Sequence, residues 1–374
     1  MRWAIYLDMD AFYLSCEARR RPEIRGRPAV VAHDPAGGKG RGVVLSASYE
    51  ARKHGFRSAM PVREAWRLGQ EVLWIPPDFP YYEATSREVM ALLRQRSPAA
   101  RQFSIDEAAL PWDGEDASGA EAEGRAIQDE IRNRLGLPCS VGIGPSILLA
   151  KMASDRAKPG GLVVISPGDV AEFVGPLPVR AVPGVGAVTE RDLGAVGVRR
   201  VGDCLAVPGP ALRRAVGPLA GLLRDLARGR WEEEPWPEES EPKSLGAMST
   251  FSEDTSDPEE LTRTLRRFLD DLERTLKHQG YAYRTVTLRI RFADFHALQR
   301  SRSLPHHTPE TRSALGVATT LLREILHPDP AHPKRPVRTV GLTLGDLKPW
   351  AGGQKDLSSF ARETDGSQAP LPDP

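Results

Sequence analysis

WAIYLDMD, residues 3–10, is an apolar run that ends on two carboxylates one residue apart. Its first six residues alternate poorly between apolar and polar, as in a strand buried on both faces. If the chain stays extended through Asp8, Met9 and Asp10, the period of two puts both carboxylates on one face, with the Met9 carbonyl between them in sequence. Hard oxygen ligands of this kind suit Mg²⁺. A second acidic element, Ser104-Ile105-Asp106-Glu107, falls in FSIDEAAL, which reads as another apolar strand over 103–110. Buried sheets rarely hold adjacent charges without a partner. Like charges at about 4 Å repel by about 4 kcal/mol at an effective dielectric of about 20, so clustering Asp8, Asp106 and Glu107 requires cations. Two divalent ions about 3.5–4 Å apart, bridged by shared carboxylates, are a recurring device for in-line phosphoryl transfer. The same residues also fit two acidic sites that stand apart at the surface, and on their own they leave both readings open.

Around this opening the pattern alternates. A helix is expected near Tyr13–Arg20, strands at 28–32 and 42–47, and helices at Tyr49–His54, Val62–Leu68 and about Tyr81–Gln95. Beyond the acidic strand come a helix at about 119–135, the strand CSVGIG at 139–144 and a helix at 146–156. From Val179 to about Arg228 short helices are separated by Gly and Pro. The last third reads as helix, strand TVTLRIRF at 285–292, helix at about 309–326 and strand VRTVGLTL at 337–344. This order predicts a mixed α/β module, a small all-α module and a β-α-β-β-α-β-like module.

Composition narrows the class. At 374 residues the chain needs more than one core. No apolar run approaches the ~18–20 residues of a membrane span, and the apolar part of the N-terminus is too short for a signal peptide. Cys16, Cys139 and Cys204 are few, odd in number and widely spaced, which fits buried thiols in a reducing cytoplasm. The net charge is only +1, yet Thr262–Leu347 holds 15 Lys/Arg against 8 Asp/Glu, the footprint of a phosphate-binding module. The acidic WEEEPWPEESE, Trp231–Glu241, reads as a solvated linker, and the tail after Trp350 as disordered.

Two further groups are suited to polyphosphate. Ser46, Tyr49 and Arg52 recur at i, i+3 and i+6, roughly one helical face, and offer O–H and guanidinium donors. Lys151 and Lys158 bring point charges, Lys158 beside the rigid turn Pro159-Gly160-Gly161.

YLDMDAFYLSCE, SASYEARKHGFRSAMP, FSIDEA and SVGIGPSILLAKMASDRAKPGG resemble, in order and spacing, the catalytic motifs of the Y-family DNA polymerases. The resemblance runs on through VRAVPGVGAVTERDLGAVGVRRVGD, KSLGAMSTFSED and RTVTLRIRFADF, and covers residues 3 to about 347. It implies an α/β multidomain fold of the right-hand polymerase type. Its parts would be a palm (1–12 and 75–166), fingers (13–74), a helical helix-hairpin-helix thumb (167–232), a linker (233–242), an α/β little finger (243–347) and a tail (348–374). The resemblance makes Asp8, Asp106 and Glu107 the acids that hold two Mg²⁺ ions, with the Met9 carbonyl as a further ligand. It makes Ser46, Tyr49, Arg52 and Lys158 the dNTP triphosphate contacts, and places Tyr13 as a steric gate whose ring excludes a ribose 2′-hydroxyl. Pro183-Gly184-Val185-Gly186 resembles a helix-hairpin-helix turn, with Gly184 and Gly186 beside a duplex backbone.

The implied activity is template-directed, low-fidelity, translesion DNA synthesis on primer-template DNA without proofreading, by a monomer. A non-catalytic DNA-binding repair protein and a nucleotidyl cyclase with a similar palm are the alternatives. The chain departs from the family pattern at Ala108-Ala109-Leu110-Pro111, so the strand end is expected to differ, and at Leu45, which would narrow the pocket over the nascent base pair. Gln354, Leu357 and Phe360 resemble the Q-x-x-L-x-x-F-like peptides that grip the sliding clamp.

Overall fold

The computed structural model describes residues 3–69, 71–114, 116–232, 236–237, 241–326 and 335–350, so Gln354, Leu357 and Phe360 lie outside the described residues. The chain forms two compact units, Met1–Glu239 and Ser240–Pro374.

The first unit opens with β1 (Trp3–Met9) and α1 (Phe12–Arg20). It then leaves for a small sheet made of β2 (Ala29–Ala32), β3 (Val44–Ala47) and, after α2 (Tyr49–Lys53) and α3 (Val62–Arg67), β4 (Leu73–Ile75). The order there is β3-β2-β4. The chain returns through α4 (Phe79–Arg96), β5 (Arg101–Gln102), β6 (Glu107–Trp112), α5 (Ala117–Leu135), β7 (Cys139–Gly144), α6 (Ile147–Ala157) and β8 (Leu162–Val164). These strands build a five-stranded sheet, β5-β6-β1-β7-β8, with β1 at its centre.

That central place explains why β1 lacks polar alternation: all seven of its residues are buried. Trp3, Ile5, Leu7 and Met9 join the core that holds Leu93 of α4 and Ile127 and Ile131 of α5. Ala4 and Tyr6 face the other way and pack with Ala109 and with Ala150 of α6. By the same period Asp8 belongs to the α6 face. The helix sits so close there that a Cβ on Gly142 of β7 would lie 1.9 Å from the Ala150 carbonyl oxygen.

The acidic strand begins later than 103. Phe103 and Ser104 both donate backbone N–H groups to the Glu107 carbonyl, which closes a tight hairpin between β5 and β6. Residues 103–106 are therefore a bend, and only Glu107 of the acidic pair stands in the strand. Pro111 continues β6 opposite Ala4, beyond the two residues that β5 pairs. A proline is tolerated at such a position, where an edge partner has ended.

Four helices, α7 (Val170–Val174), α8 (Ala187–Ala195), α9 (Gly209–Val216) and α10 (Leu219–Ala227), pack with short 3₁₀ turns around Leu193, Leu212, Leu223 and Leu226. The segment after them is not simply solvated. Trp231 packs on this helical core, the Trp236 indole donates to the Ala99 carbonyl at 2.7 Å, and Arg101 donates to the Pro237 carbonyl at 2.6 Å. An indole buries enough area to outweigh its acidic neighbours.

The second unit runs β9 (Ser244–Thr255), α11 (Pro258–Gln279), β10 (Tyr281–Phe292), β11 (Ala297–Thr308), α12 (Arg312–Leu326), β12 (Val337–Gly345) and β13 (Lys348–Pro349). Its sheet order is β11-β10-β12-β9. Leu261, Leu265, Phe268, Leu269, Leu272 and Leu276 form the apolar stripe of α11 and pack, with α12, on Val286, Leu288, Ile290 and Phe292. The alternate residues of β10, Thr285, Thr287, Arg289 and Arg291, point to the opposite, helix-free face. Hydroxyl pairs Thr285–Ser303 and Thr287–Ser301 lie on that face.

Candidate active site

The site lies where β1 ends beside the β5–β6 hairpin. Asp8 is the Cα partner of Glu107, and the Met9 N–H donates to the Asp106 carbonyl at 2.9 Å. Asp8 and Glu107 face each other across the two strands, and Asp106, the last residue of the bend, accepts through its carboxylate from the Ser104 hydroxyl. The three acids read from the sequence are thus brought together.

Two lysines from α6 and its C-terminus face them. Lys158 donates to Asp8 at 2.6 Å and to Asp155 at 2.8 Å, and Lys151 ion-pairs with Glu107. Burial pushes Asp8 above the usual carboxylate range, more than Lys158 pulls it down, and the Glu107 and Asp106 charges push the same way. Burial also works to raise Glu107, but the Lys151 ammonium outweighs it and holds this acid low. A facing pair therefore keeps its charge unequally, as two carboxylates must when they share one small volume.

Among the described residues, no three His, Cys, Asp or Glu side chains are arranged as a metal cage as they stand, and Asp8 and Glu107 are each turned to an ammonium group. The donor set of carboxylate oxygens, with no sulfur or imidazole, nevertheless suits a hard divalent cation.

Tyr13 projects from the first turn of α1. Its ring lies 4.9 Å from the Tyr82 ring and 6.3 Å from that of Phe79. Burial first, and then the Asp106 charge, push its phenol up, which sets Tyr13 beside the acids. Behind it, fully buried Glu17 accepts from Tyr82 Oη at 2.7 Å and from Arg20 Nε at 3.0 Å, and is ion-paired with Arg21.

The polyphosphate candidates divide. Tyr49 and Arg52 lie on α2, with the guanidinium 4.6 Å from the Tyr49 ring centroid. Ser46 is not on that helical face. It is buried in β3, because Ser48 caps α2 by accepting from Ala51 N at 3.0 Å and so fixes the helix start at Tyr49. Leu45 packs half-buried against the main core, together with α1 residues. Asp10 turns away from Asp8's partners: it accepts from Tyr49 Oη at 3.1 Å, Ser140 Oγ at 2.9 Å and Gly160 N at 2.8 Å. These bonds tie α2 to the Lys158 turn. Nothing in an Asp-x-Asp pattern tells a reactive acid from one saturated by donors. Gly184 (φ +92°) and Gly186, which precedes α8, form a tight turn in the helical part, apart from the acids.

Residues 7–155 match the model of the impB/mucB/samB family, and residues 242–357 match the C-terminal domain of that family. DNA polymerase IV of Methanoculleus marisnigri is 38% identical over 362 residues, covering 96% of this chain and 98% of that protein. DNA polymerase IV of Alkalilimnicola ehrlichii is 40% identical over 350 residues, covering 92% and 95%. Among solved structures, a Y-family DNA polymerase chimera of Dbh and Dpo4 superposes with a TM-score of 0.81 at 29% identity, covering 92% of this chain and 99% of that one. The insertion ternary complex of Dbh DNA polymerase gives a TM-score of 0.66 at 30% identity, covering 92% and 98%.

Proposed function

The chain belongs to the Y-family DNA polymerases, in the DNA polymerase IV group of the impB/mucB/samB family, and from that premise we propose that its acidic edge adds deoxynucleotides to a primer 3′-hydroxyl with two Mg²⁺ ions. The enzyme is a DNA-directed DNA polymerase of the translesion class. The observation that carries the chemical reading is the convergence of Asp8, Asp106 and Glu107 with Lys158 and Tyr13 at the end of the central strand β1.

In this reading Asp8, Asp106, Glu107 and the Met9 carbonyl hold the cations, which supply charge neutralisation and a more acidic primer hydroxyl when bound. Lys158 exchanges Asp8 for the triphosphate, and Tyr49 and Arg52 complete the clamp from α2. Ser46 is the weakest member of the proposed set, being buried in its strand. Tyr13, backed by Tyr82, forms a rigid floor beneath the sugar that leaves no room for a 2′-hydroxyl. The five-stranded sheet with α4–α6 serves as the palm, the small sheet with α1–α3 as the fingers, α7–α10 as the thumb and the second unit as the little finger. Gly184 and Gly186 would sit against duplex backbone, as would the hydroxyl-rich face of β10 with Arg289 and Arg291.

Primer extension on a templated duplex tests the whole reading. Templated addition of dNTPs is the expected result; duplex binding without addition would leave only a non-catalytic DNA-binding protein. The Gln354, Leu357 and Phe360 motif is proposed as a sliding-clamp peptide on a monomeric polymerase. Deleting 351–374 should then abolish stimulation by loaded clamp and leave distributive synthesis unchanged, and equal stimulation of both proteins would discard it.

A further inference from the structure

Of the two lysines that face the acids, Lys158 has a part in the proposed reaction and Lys151 has none. Lys151 stands on α6 over the face of β1 that carries Tyr6 and Asp8. Its ammonium ion-pairs with Glu107, lies 3.4 Å from Tyr6 Oη, and sits 5.1 Å from the centroid of the Tyr6 ring. Tyr6 itself is 2% exposed, stacks on Phe103 at 5.7 Å and packs with Ala4, Ala109 and Ala150. A phenylalanine would fill that niche equally well. The added hydroxyl ends beside the ammonium that holds Glu107.

Glu107 has three rotatable side-chain bonds and faces another acid. Left alone, it would relieve the repulsion by turning out to water, and the acids would present many geometries instead of one. An ammonium held from below by a buried aromatic face and a hydroxyl removes that freedom. We propose that Lys151, seated on Tyr6, is a positioning residue for polymerisation that holds the Glu107 carboxylate against Asp8. The inference rests on Glu107 being one of the reactive acids. Lys151 touches neither primer nor nucleotide in this account; it acts through the carboxylate.

The test compares Lys151→Met, Lys151→Arg, Tyr6→Phe and Glu107→Ala with the wild-type full chain. Single-turnover extension gives the rate, fluorescence anisotropy gives primer-template affinity, and EPR of free Mn²⁺ gives cation affinity in complexes with a dideoxy-terminated primer. Partners that orient a ligating group change affinity or activity by about 10–100-fold when removed. Lys151→Met should therefore slow extension about 10–100-fold and weaken Mn²⁺ binding about 10-fold, while primer-template affinity stays within about twofold. Lys151→Arg should recover a substantial part of the rate, and Tyr6→Phe should lose about 3–10-fold. A wild-type rate in Lys151→Met overturns the proposal, as does a parallel fall in rate and primer-template affinity, which would make Lys151 a phosphate contact. If Lys151→Met fails to fold, Tyr6→Phe decides, because it removes a single oxygen, and an unchanged rate there rejects the proposal. Glu107→Ala separates the two levels. Full activity in that variant sinks the reading of the acids, whereas an inactive Glu107→Ala beside an unimpaired Lys151→Met sinks only the positioning role.

Discussion

Asp8 and Glu107 at the end of β1, and Asp10 and Glu17 beyond it, are all acids at least partly withdrawn from water, yet they are held in opposite ways. Asp10, 2% exposed, is saturated by Tyr49, Ser140 and Gly160, and Glu17, 0% exposed, by Tyr82, Arg20 and Arg21. Asp8 and Glu107 face each other instead; Lys151 stays on Glu107, while the Asp8 counterion, Lys158, is shared with Asp155 on a flexible stem and can leave for another partner. The difference separates a structural rivet from the proposed reactive centre. A carboxylate whose lone pairs are filled by fixed donors stabilises the fold. One that must share its charge with a second acid stores repulsion that a cation can relieve.

The sharpest way to break this comparison is to remove the cation. Chelation with EDTA should lower primer extension by at least about 1,000-fold and Mg²⁺ should restore it, while primer-template binding persists. Extension that survives chelation would erase the distinction.

Next in size is Glu17→Ala, which should destabilise the first unit by about 2–3 kcal/mol in urea unfolding, since it strands the Tyr82 hydroxyl and two guanidinium groups. Burial works against the Glu17 charge, but the Arg20, Tyr82 and Arg21 hydrogen bonds outweigh it and hold its carboxyl below the ordinary value. Its contribution is thus complete at neutral pH, above the unfolded carboxylate value, and is lost as pH falls through the lower folded value. Wild type and variant should therefore converge on acidification. A gap that is constant with pH would contradict the assignment.

Tyr13→Ala should raise the ratio of ribonucleotide to deoxynucleotide incorporation by about 10–100-fold, read by competitive extension with rNTP and dNTP. An unchanged ratio would remove Tyr13 from the nucleotide site. The smallest effect belongs to the second unit. Arg289→Ala and Arg291→Ala should each weaken primer-template binding uniformly across sequences and reduce the log–log salt slope by about 1. Sequence-selective loss would argue for base reading on that face.

Much of this architecture is legible in the chain. The apolar run of β1, the CSVGIG strand and the leucine spacing of α11 announce themselves, because each is buried on the side its periodicity indicates. β9 and β11 are not announced: one face of each is open, and SLGAMSTFSEDT and ALQRSRSLPHHT carry no apolar run. The ordered motifs bring Asp8, Asp106 and Glu107 to one place, but the strand through Phe103–Asp106 proves to be a bend fixed by two backbone bonds to the Glu107 carbonyl. Ser46 shows the same limit, since its i, i+3 spacing to Tyr49 crosses the Ser48 cap from strand into helix. The basic excess of the last third is likewise only partly available. Arg284, Arg302 and Arg335 are paired with Asp346, Glu324 and Asp294, while Arg289 and Arg291 lie on the open sheet face. Trp236 was hidden by its acidic surroundings, which describe the segment's charge and not where its ring is seated.

The most direct measurement is single-turnover primer extension by Asp106→Ala and Glu107→Ala, with primer-template affinity measured on the same samples. Each variant is expected to bind the duplex within about twofold of wild type and to extend at least about 1,000-fold more slowly. Near wild-type extension by either variant would contradict the assignment of this acidic edge as the centre of the chemistry.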